Sequence, residues 1–434
     1  MTGFAYRNGI LHAENVSLAR IAETVGTPTY VYSSAAITAN YRAYEMAFGG
    51  QNVAIHFALK ANGNLGVLAL LASLGAGADI VSVGEMRRAL AAGMPASRIV
   101  FSGVGKTREE LAEAVRQGIA QINVESVPEL ETLDQVARSL GRRQRIVLRV
   151  NPDVDARTHE KISTGKKGDK FGIPYDEVPA VYRSAVGMAG VEIIGIAVHI
   201  GSQLTDLTPF RRAYTKVADL VRDLRAAGQL VETIDLGGGI GVTYNDEKPP
   251  AIDDYATAVF ETVGNLGCRL AIEPGRSIVA SAGILLSRAV YRKAGKPNDI
   301  LILDTGMNDL MRPSMYGAYH PILPVVAPAS NAMLAPTDVV GPVCESGDTF
   351  ARGRNLPPIA ADDLVAFGAA GAYGSSMSST YNARPLSAEV LVRGDDFDVV
   401  RPRQAIEAMF ADEHIPAWLG ESAGLGVRAG RKRA

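Results

Sequence analysis

Lys60 closes the run Val53-Ala-Ile-His-Phe-Ala-Leu-Lys-Ala-Asn62. The mostly apolar residues ahead of it read as a short strand buried on both faces, so the amine stands where that strand runs out. The mouth of a buried parallel strand is where barrel enzymes keep reactive groups, although a lysine there can equally snorkel to water. Further along, Asp235-Leu-Gly-Gly-Gly-Ile-Gly241 follows another strand-like run. Consecutive glycines let backbone N–H groups close around an anion; a plain tight turn is the alternative. Glu273-Pro-Gly-Arg276 offers a carboxylate to face a heteroaromatic nitrogen and a guanidinium to reach anions, or else a capping ion pair. His199, in Val198-His-Ile-Gly-Ser-Gln203, presents a flat ring that would stack on a flat ligand, or serve as a satisfied core histidine.

Later in the chain, Cys344-Glu-Ser-Gly-Asp348 sets a thiol beside a carboxylate, where an inert cysteine is the default expectation. Arg312-Pro-Ser-Met-Tyr316 and Gly371-Ala-Tyr-Gly-Ser-Ser-Met-Ser-Ser-Thr-Tyr-Asn382 are loops rich in groups that bind carboxylate, phosphate or amine. Assembled, these are an amine, a phosphate cradle, a carboxylate for a ring nitrogen and a ring for stacking. Pyridoxal 5′-phosphate asks those four things of a protein.

The elements that must hold these groups follow a regular rhythm. Strands are expected at 53–59, 78–81, 99–101, 121–124, 145–150, 193–199, 233–236 and 269–273, with helical stretches between them. Eight strands separated by helices indicate a (β/α)8 barrel. A doubly wound open sheet is the second choice, because candidate residues follow nearly every strand instead of gathering at one switch point. After about residue 285 short β-rich runs appear between Pro and Gly, which predicts an antiparallel β domain joined by strands from residues 1–35. The expected division is 36–284 for the barrel, and 1–35 with 285–434 for the β-rich domain. The charged, glycine-broken segment 153–172 interrupts the barrel rhythm and reads as a lid or a plain surface loop.

Composition excludes several classes. With 47% hydrophobic and 21% charged residues and a net charge of −2, the chain is an ordinary globular protein with no electrostatic case for nucleic acid or an anionic membrane. The basic tail Arg428–Arg433 reads as a solvated terminus. Two cysteines without metal-ligand spacing suit a reducing cytoplasm and imply no metal. Neither a signal peptide nor a membrane span is expected.

The motifs resemble those of the barrel-type pyridoxal-phosphate decarboxylases, most closely the diaminopimelate decarboxylase family. The resemblance covers essentially the whole chain. Its most specific pieces are His159-Glu-Lys-Ile-Ser-Thr-Gly165 with Lys170-Phe-Gly172, Glu273-Pro-Gly-Arg276, and Gly341-Pro-Val-Cys-Glu-Ser-Gly-Asp348, none of which departs from the family's pattern. The resemblance implies an alanine racemase-like architecture, a cytoplasmic homodimer with shared active sites, and decarboxylation of meso-2,6-diaminopimelate to L-lysine. It also implies roles. Lys60 would hold the cofactor covalently, His199 would stack on its ring, and Glu273 would keep the ring nitrogen protonated. Gly239, Gly275, Arg276 and Tyr373 would surround the phosphate. Arg276, Arg312 and Tyr316 would grip the substrate's distal carboxylate, with Tyr373 at the same site and Glu345 on the distal ammonium. Cys344 would protonate the carbon that loses carbon dioxide.

Three rivals stand beside this reading. A racemase of the same fold sets an arginine against the ring nitrogen, where this chain has Glu273. Ornithine- or arginine-type decarboxylases carry an aspartate after the cysteine, where this chain has Glu345. A non-catalytic binding relative would lack the anchoring lysine or the cysteine.

Overall fold

The computed structural model describes residues 3–49, 53–155 and 170–419. Eight parallel strands close into a barrel: Val53–Ala58, Gly77–Ile80, Ile99–Phe101, Gln121–Val124, Gln144–Asn151, Val191–Val198, Thr233–Asp235 and Arg269–Ile272. Closure is made where Leu270 pairs with Val53, so the first and last strands are neighbours and the barrel has no free edge. Strands such as Gly77–Ile80 and Gln121–Val124 are buried at every position, as a sheet covered by helices requires.

Local sequence starts several of the helices between these strands. Asn64, Ser82, Thr107 and Ser126 each stand before a helix and accept a backbone N–H from its first turn. Thr107 and Glu110 complete a capping box. These caps start the helices after the first four strands; the later helices Val178–Val186, Thr208–Ala226 and Ile252–Val263 have no side-chain cap.

The second sheet is ordered Thr349–Leu356, Ala335–Val340, Asp299–Leu303, Gly283–Lys293, Thr29–Ser33, Ala388–Arg393, Asp396–Arg401. Its spine is the 11-residue strand Gly283–Lys293, which pairs with Thr29–Ser33, Asp299–Leu303 and Leu364–Phe367. That strand begins immediately after the barrel and was not anticipated, because its apolar start does not distinguish a strand from a buried helix. The sheet is antiparallel-rich but not purely antiparallel. Thr29–Ser33 runs parallel to Ala388–Arg393, and Asp299–Leu303 parallel to Ala335–Val340. Parallel neighbours need a long crossover, and for the first pair that crossover contains the whole barrel and most of the second sheet. Residues 156–169, which include most of the expected lid and the His159–Gly165 motif, lie outside the described residues, as does the basic tail.

Candidate active site

Lys60 lies in a single 3-10 turn, Leu59–Ala61, directly after the first barrel strand. The second domain fixes this turn from above. Tyr373 donates its backbone N–H to Ala61 O at 2.8 Å, and Ser376 Oγ donates to Lys60 O at 3.0 Å. Asn62 Nδ2 donates to Gly371 O at 3.0 Å. Tyr373 sits at φ 54°, a left-handed conformation unusual for a tyrosine and held here by its bond to Ala61.

The Lys60 ammonium donates to Oδ2 of Asp79 at 2.5 Å. Asp79 is the penultimate residue of the second strand, is fully buried, and its other oxygen has no partner. Burial pulls the Lys60 amine down, but Asp79 and then Glu273 outweigh it, and its pKa is raised. Glu273 follows the eighth strand and is buried; Oε1 receives Asn123 Nδ2 at 3.3 Å and Ser102 Oγ at 3.4 Å. Asn123 Nδ2 also reaches Asp235 Oδ2 at 3.3 Å, so one amide bridges two carboxylates across the barrel. Burial, then Asp235 and Asp79, push the Glu273 carboxyl well above the usual carboxylate range. A group so placed shares a proton with a nitrogen base readily.

His199 follows the sixth strand, and its Nδ1 accepts the Gly238 N–H at 3.1 Å. A nitrogen that accepts carries no proton, so the imidazole is neutral. Burial, Arg149 and Lys60 push its pKa well down, in agreement. The glycine run is shaped for close approach: Gly239 has φ 125°, and a Cβ there would lie 2.5 Å from Gly201 O. A Cβ on Gly275 would lie 2.9 Å from the Cβ of Ala58, the last residue of the lysine's strand.

These groups face one cavity of about 540 Å³, lined by Lys60, His199, Gly239, Glu273, Gly275 and Arg276 together with Arg312, Tyr316 and Tyr373. Arg276 donates to Tyr244 Oη at 2.7 Å and Ser202 Oγ at 3.0 Å, while its buried Nε–H meets no acceptor. Its guanidinium lies over the Tyr373 ring at 4.7 Å, and that of Arg312 over the Tyr244 ring at 4.3 Å. Both arginines are buried, and among the described residues neither pairs with a carboxylate. Two desolvated cations without counter-ions create a strong demand for anions.

Cys344 and Glu345 do not line this cavity. Both are exposed on the loop between Ala335–Val340 and Thr349–Leu356. The loop is well braced: Asp348 accepts the N–H groups of Val343 at 2.7 Å and Met307 at 2.6 Å, and Ser314 Oγ donates to Gly347 O at 2.7 Å. Cys344 N–H donates to Asn382 Oδ1 at 2.8 Å. Sequence reasoning missed Asp79, Asn123, Tyr244 and His320. Only Asp79 left a signal, a carboxylate inside an otherwise apolar strand.

A family model described as "Pyridoxal-dependent decarboxylase, pyridoxal binding domain" matches residues 34–280, more than half of the chain. A diaminopimelate decarboxylase of Pseudomonas aeruginosa is 50% identical over 415 residues, covering 96% of this chain and 99% of the relative. The chain belongs to the diaminopimelate decarboxylase family. A second member, from Zymomonas mobilis, is 46% identical over 424 residues, covering 96% of this chain and all of the relative. The crystal structure of the Helicobacter pylori diaminopimelate decarboxylase complexed with L-lysine superposes with a TM-score of 0.88 at 44% identity, over 91% of this chain and 98% of that one. The family's pyridoxal-binding segment thus spans every barrel strand, with Lys60, His199, Glu273 and Arg276 inside it.

Proposed function

We propose that this protein removes one carboxylate from meso-2,6-diaminopimelate, giving L-lysine and carbon dioxide, with pyridoxal 5′-phosphate as cofactor. The observation that carries this reading is the pair of buried guanidiniums, Arg276 and Arg312, which open without counter-ions onto the cavity that holds Lys60. A phosphate and a second substrate carboxylate are two anions for two cations. A diamine-forming decarboxylase needs only the first.

The residues present fit the cofactor. Gly239 and Gly275 leave room where a side chain would collide, and the orphaned Arg276 Nε–H lacks an acceptor that a phosphate oxygen supplies. Lys60 would hold the cofactor through its aldehyde group, His199 would offer a neutral face to its ring, and Glu273 would share a proton with its nitrogen. Tyr373, whose ring lies under the Arg276 guanidinium, would join Arg276 in holding the phosphate. Pyridoxal 5′-phosphate, when bound, supplies the electron sink for the bonding pair left by departing carbon dioxide. Arg312 and Tyr316 hold the distal carboxylate, which sets which carboxylate stays and which leaves.

Two groups must come from elsewhere. Cys344 returns the proton to the carbon that lost carbon dioxide, and Glu345 takes the distal ammonium. Neither lines the cavity of its own chain, which supports a homodimer in which each subunit's Cys344 loop completes its partner's cavity. A cytoplasmic setting suits a free, exposed thiol. The test is incubation of the cofactor-loaded protein with meso-diaminopimelate, lysine, ornithine and arginine while released carbon dioxide is measured. Release from diaminopimelate alone is expected; equal release from ornithine or lysine overturns the substrate assignment.

A further inference from the structure

Arg312 is oriented by a histidine that stands outside every motif. His320 is 2% exposed, and its Nε2 lies 2.7 Å from Arg312 Nη1. On the other side of the ring, Nδ1 lies 2.8 Å from the carbonyl oxygen of Gly368. A carbonyl only accepts, so the ring proton sits on Nδ1, and Nε2 keeps the lone pair that a guanidinium requires. The two contacts therefore specify one neutral tautomer. Burial, with Arg312 close by, pushes the His320 pKa down to about 3, in keeping with that geometry. Tyr244 completes the assembly: its ring packs edge-on against His320 at 5.3 Å and lies face-on under Arg312 at 4.3 Å. Tyr244 Oη also receives Arg276.

The choice of a neutral acceptor has a chemical consequence. A carboxylate at this point would orient Arg312 equally well, but it would also form a buried ion pair and cancel the charge. An imidazole fixes the guanidinium plane and leaves its charge uncompensated. The other nearby acid, Glu247, lines the same cavity, but its carboxylate is held by the N–H groups of Tyr244 at 2.9 Å and Asn245 at 2.7 Å.

We propose that His320 is a positioning residue for substrate specificity, holding Arg312 in place while leaving its full charge for the distal carboxylate of the substrate. This rests on the diaminopimelate reading above. His320 does not line the cavity itself and reaches it only through Arg312, so its effect belongs on substrate binding and not on turnover.

Three variants separate the contacts. His320→Asn keeps a donor near Nδ1 for Gly368 and loses the acceptor for Arg312. His320→Gln keeps an acceptor at the reach of Nε2. His320→Glu supplies an acceptor that is also an anion. The measurements are KM and kcat for meso-diaminopimelate, and the dissociation constant of cadaverine, a five-carbon diamine with no distal carboxylate, from spectral titration of the loaded protein. His320→Asn is expected to raise KM about tenfold, the value of one charge-assisted hydrogen bond, with kcat and cadaverine binding within about twofold of wild type. His320→Gln is expected to restore KM to within about threefold, and His320→Glu to bind diaminopimelate at least as poorly as His320→Asn. The inference is overturned if cadaverine and diaminopimelate weaken together, if His320→Asn leaves KM unchanged, or if His320→Glu matches His320→Gln. Should wild type release no carbon dioxide from diaminopimelate, the functional reading itself fails and the inference falls with it.

Discussion

Lys60 and Asp79 form the only contact between the site's amine and a fully buried carboxylate among the described residues, at 2.5 Å. It joins the turn after the first strand to the end of the second, and it leaves Asp79 Oδ1 without a donor. The carboxylate keeps the amine charged and aimed into the cavity before any cofactor arrives. Asp79→Asn should therefore lower the amine's pKa and weaken cofactor retention. The check is the pH dependence of acylation of Lys60 in cofactor-free protein, which should move to lower pH in the variant. An unchanged profile would mean that Asp79 does not govern the amine.

Arg312→Ala removes a buried, charge-assisted grip worth about 2–4 kcal/mol when its partner is an anion. Turnover of meso-diaminopimelate should fall far more than any residual action on lysine. Equal losses on both substrates would assign Arg312 a structural part only.

His320 also makes a statement about acid stability. Its pKa in the fold, about 3, lies below the ordinary histidine value near 6.5. A depressed pKa contributes stability that is present above about 6.5 and is lost as pH falls, because the unfolded chain gains a proton that the fold refuses. Between pH 7 and pH 5 that loss is about 2 kcal/mol, and a His320→Gln variant escapes it. The stability gap between wild type and variant, from urea titrations, should shift toward the variant by that amount on acidification. A gap independent of pH would mean that His320 takes up its proton as readily in the fold as in the unfolded chain.

Much of this site was legible before the fold was seen. Lys60, His199, Glu273 and the glycine run each follow an apolar strand, and a short continuous apolar run ending in a polar residue leaves a clear mark in one dimension. The residues that orient them left little. His320 meets Gly368, 48 positions away, and Asn123 meets Glu273, 150 positions away, so their partners are set by pairing within the second sheet and by barrel closure. The strand Gly283–Lys293 escaped for a related reason: its pairing partners lie at 29–33, 299–303 and 364–367. Cys344 is legible by motif, and shared active sites require its loop to serve a partner's cavity, an expectation with which its exposure away from the cavity of its own chain is compatible.

That exposure leads to an expectation for mixed dimers. Lys60→Ala and Cys344→Ala subunits should each be inactive alone. In a heterodimer with shared sites, one site inherits both lesions and the other inherits neither. Random reassortment makes half the dimers mixed, so about one quarter of wild-type activity should return. A mixture that stays inactive despite demonstrated subunit exchange would place each site within one chain.

The account turns on Lys60 as the residue that holds the cofactor. Borohydride reduction of the cofactor-loaded protein, followed by digestion and peptide mapping, reads that directly. The label is predicted on Lys60, within Phe57-Ala-Leu-Lys-Ala-Asn62, and should vanish together with the visible absorption in Lys60→Ala. A label on any other lysine of the wild-type protein would contradict the account.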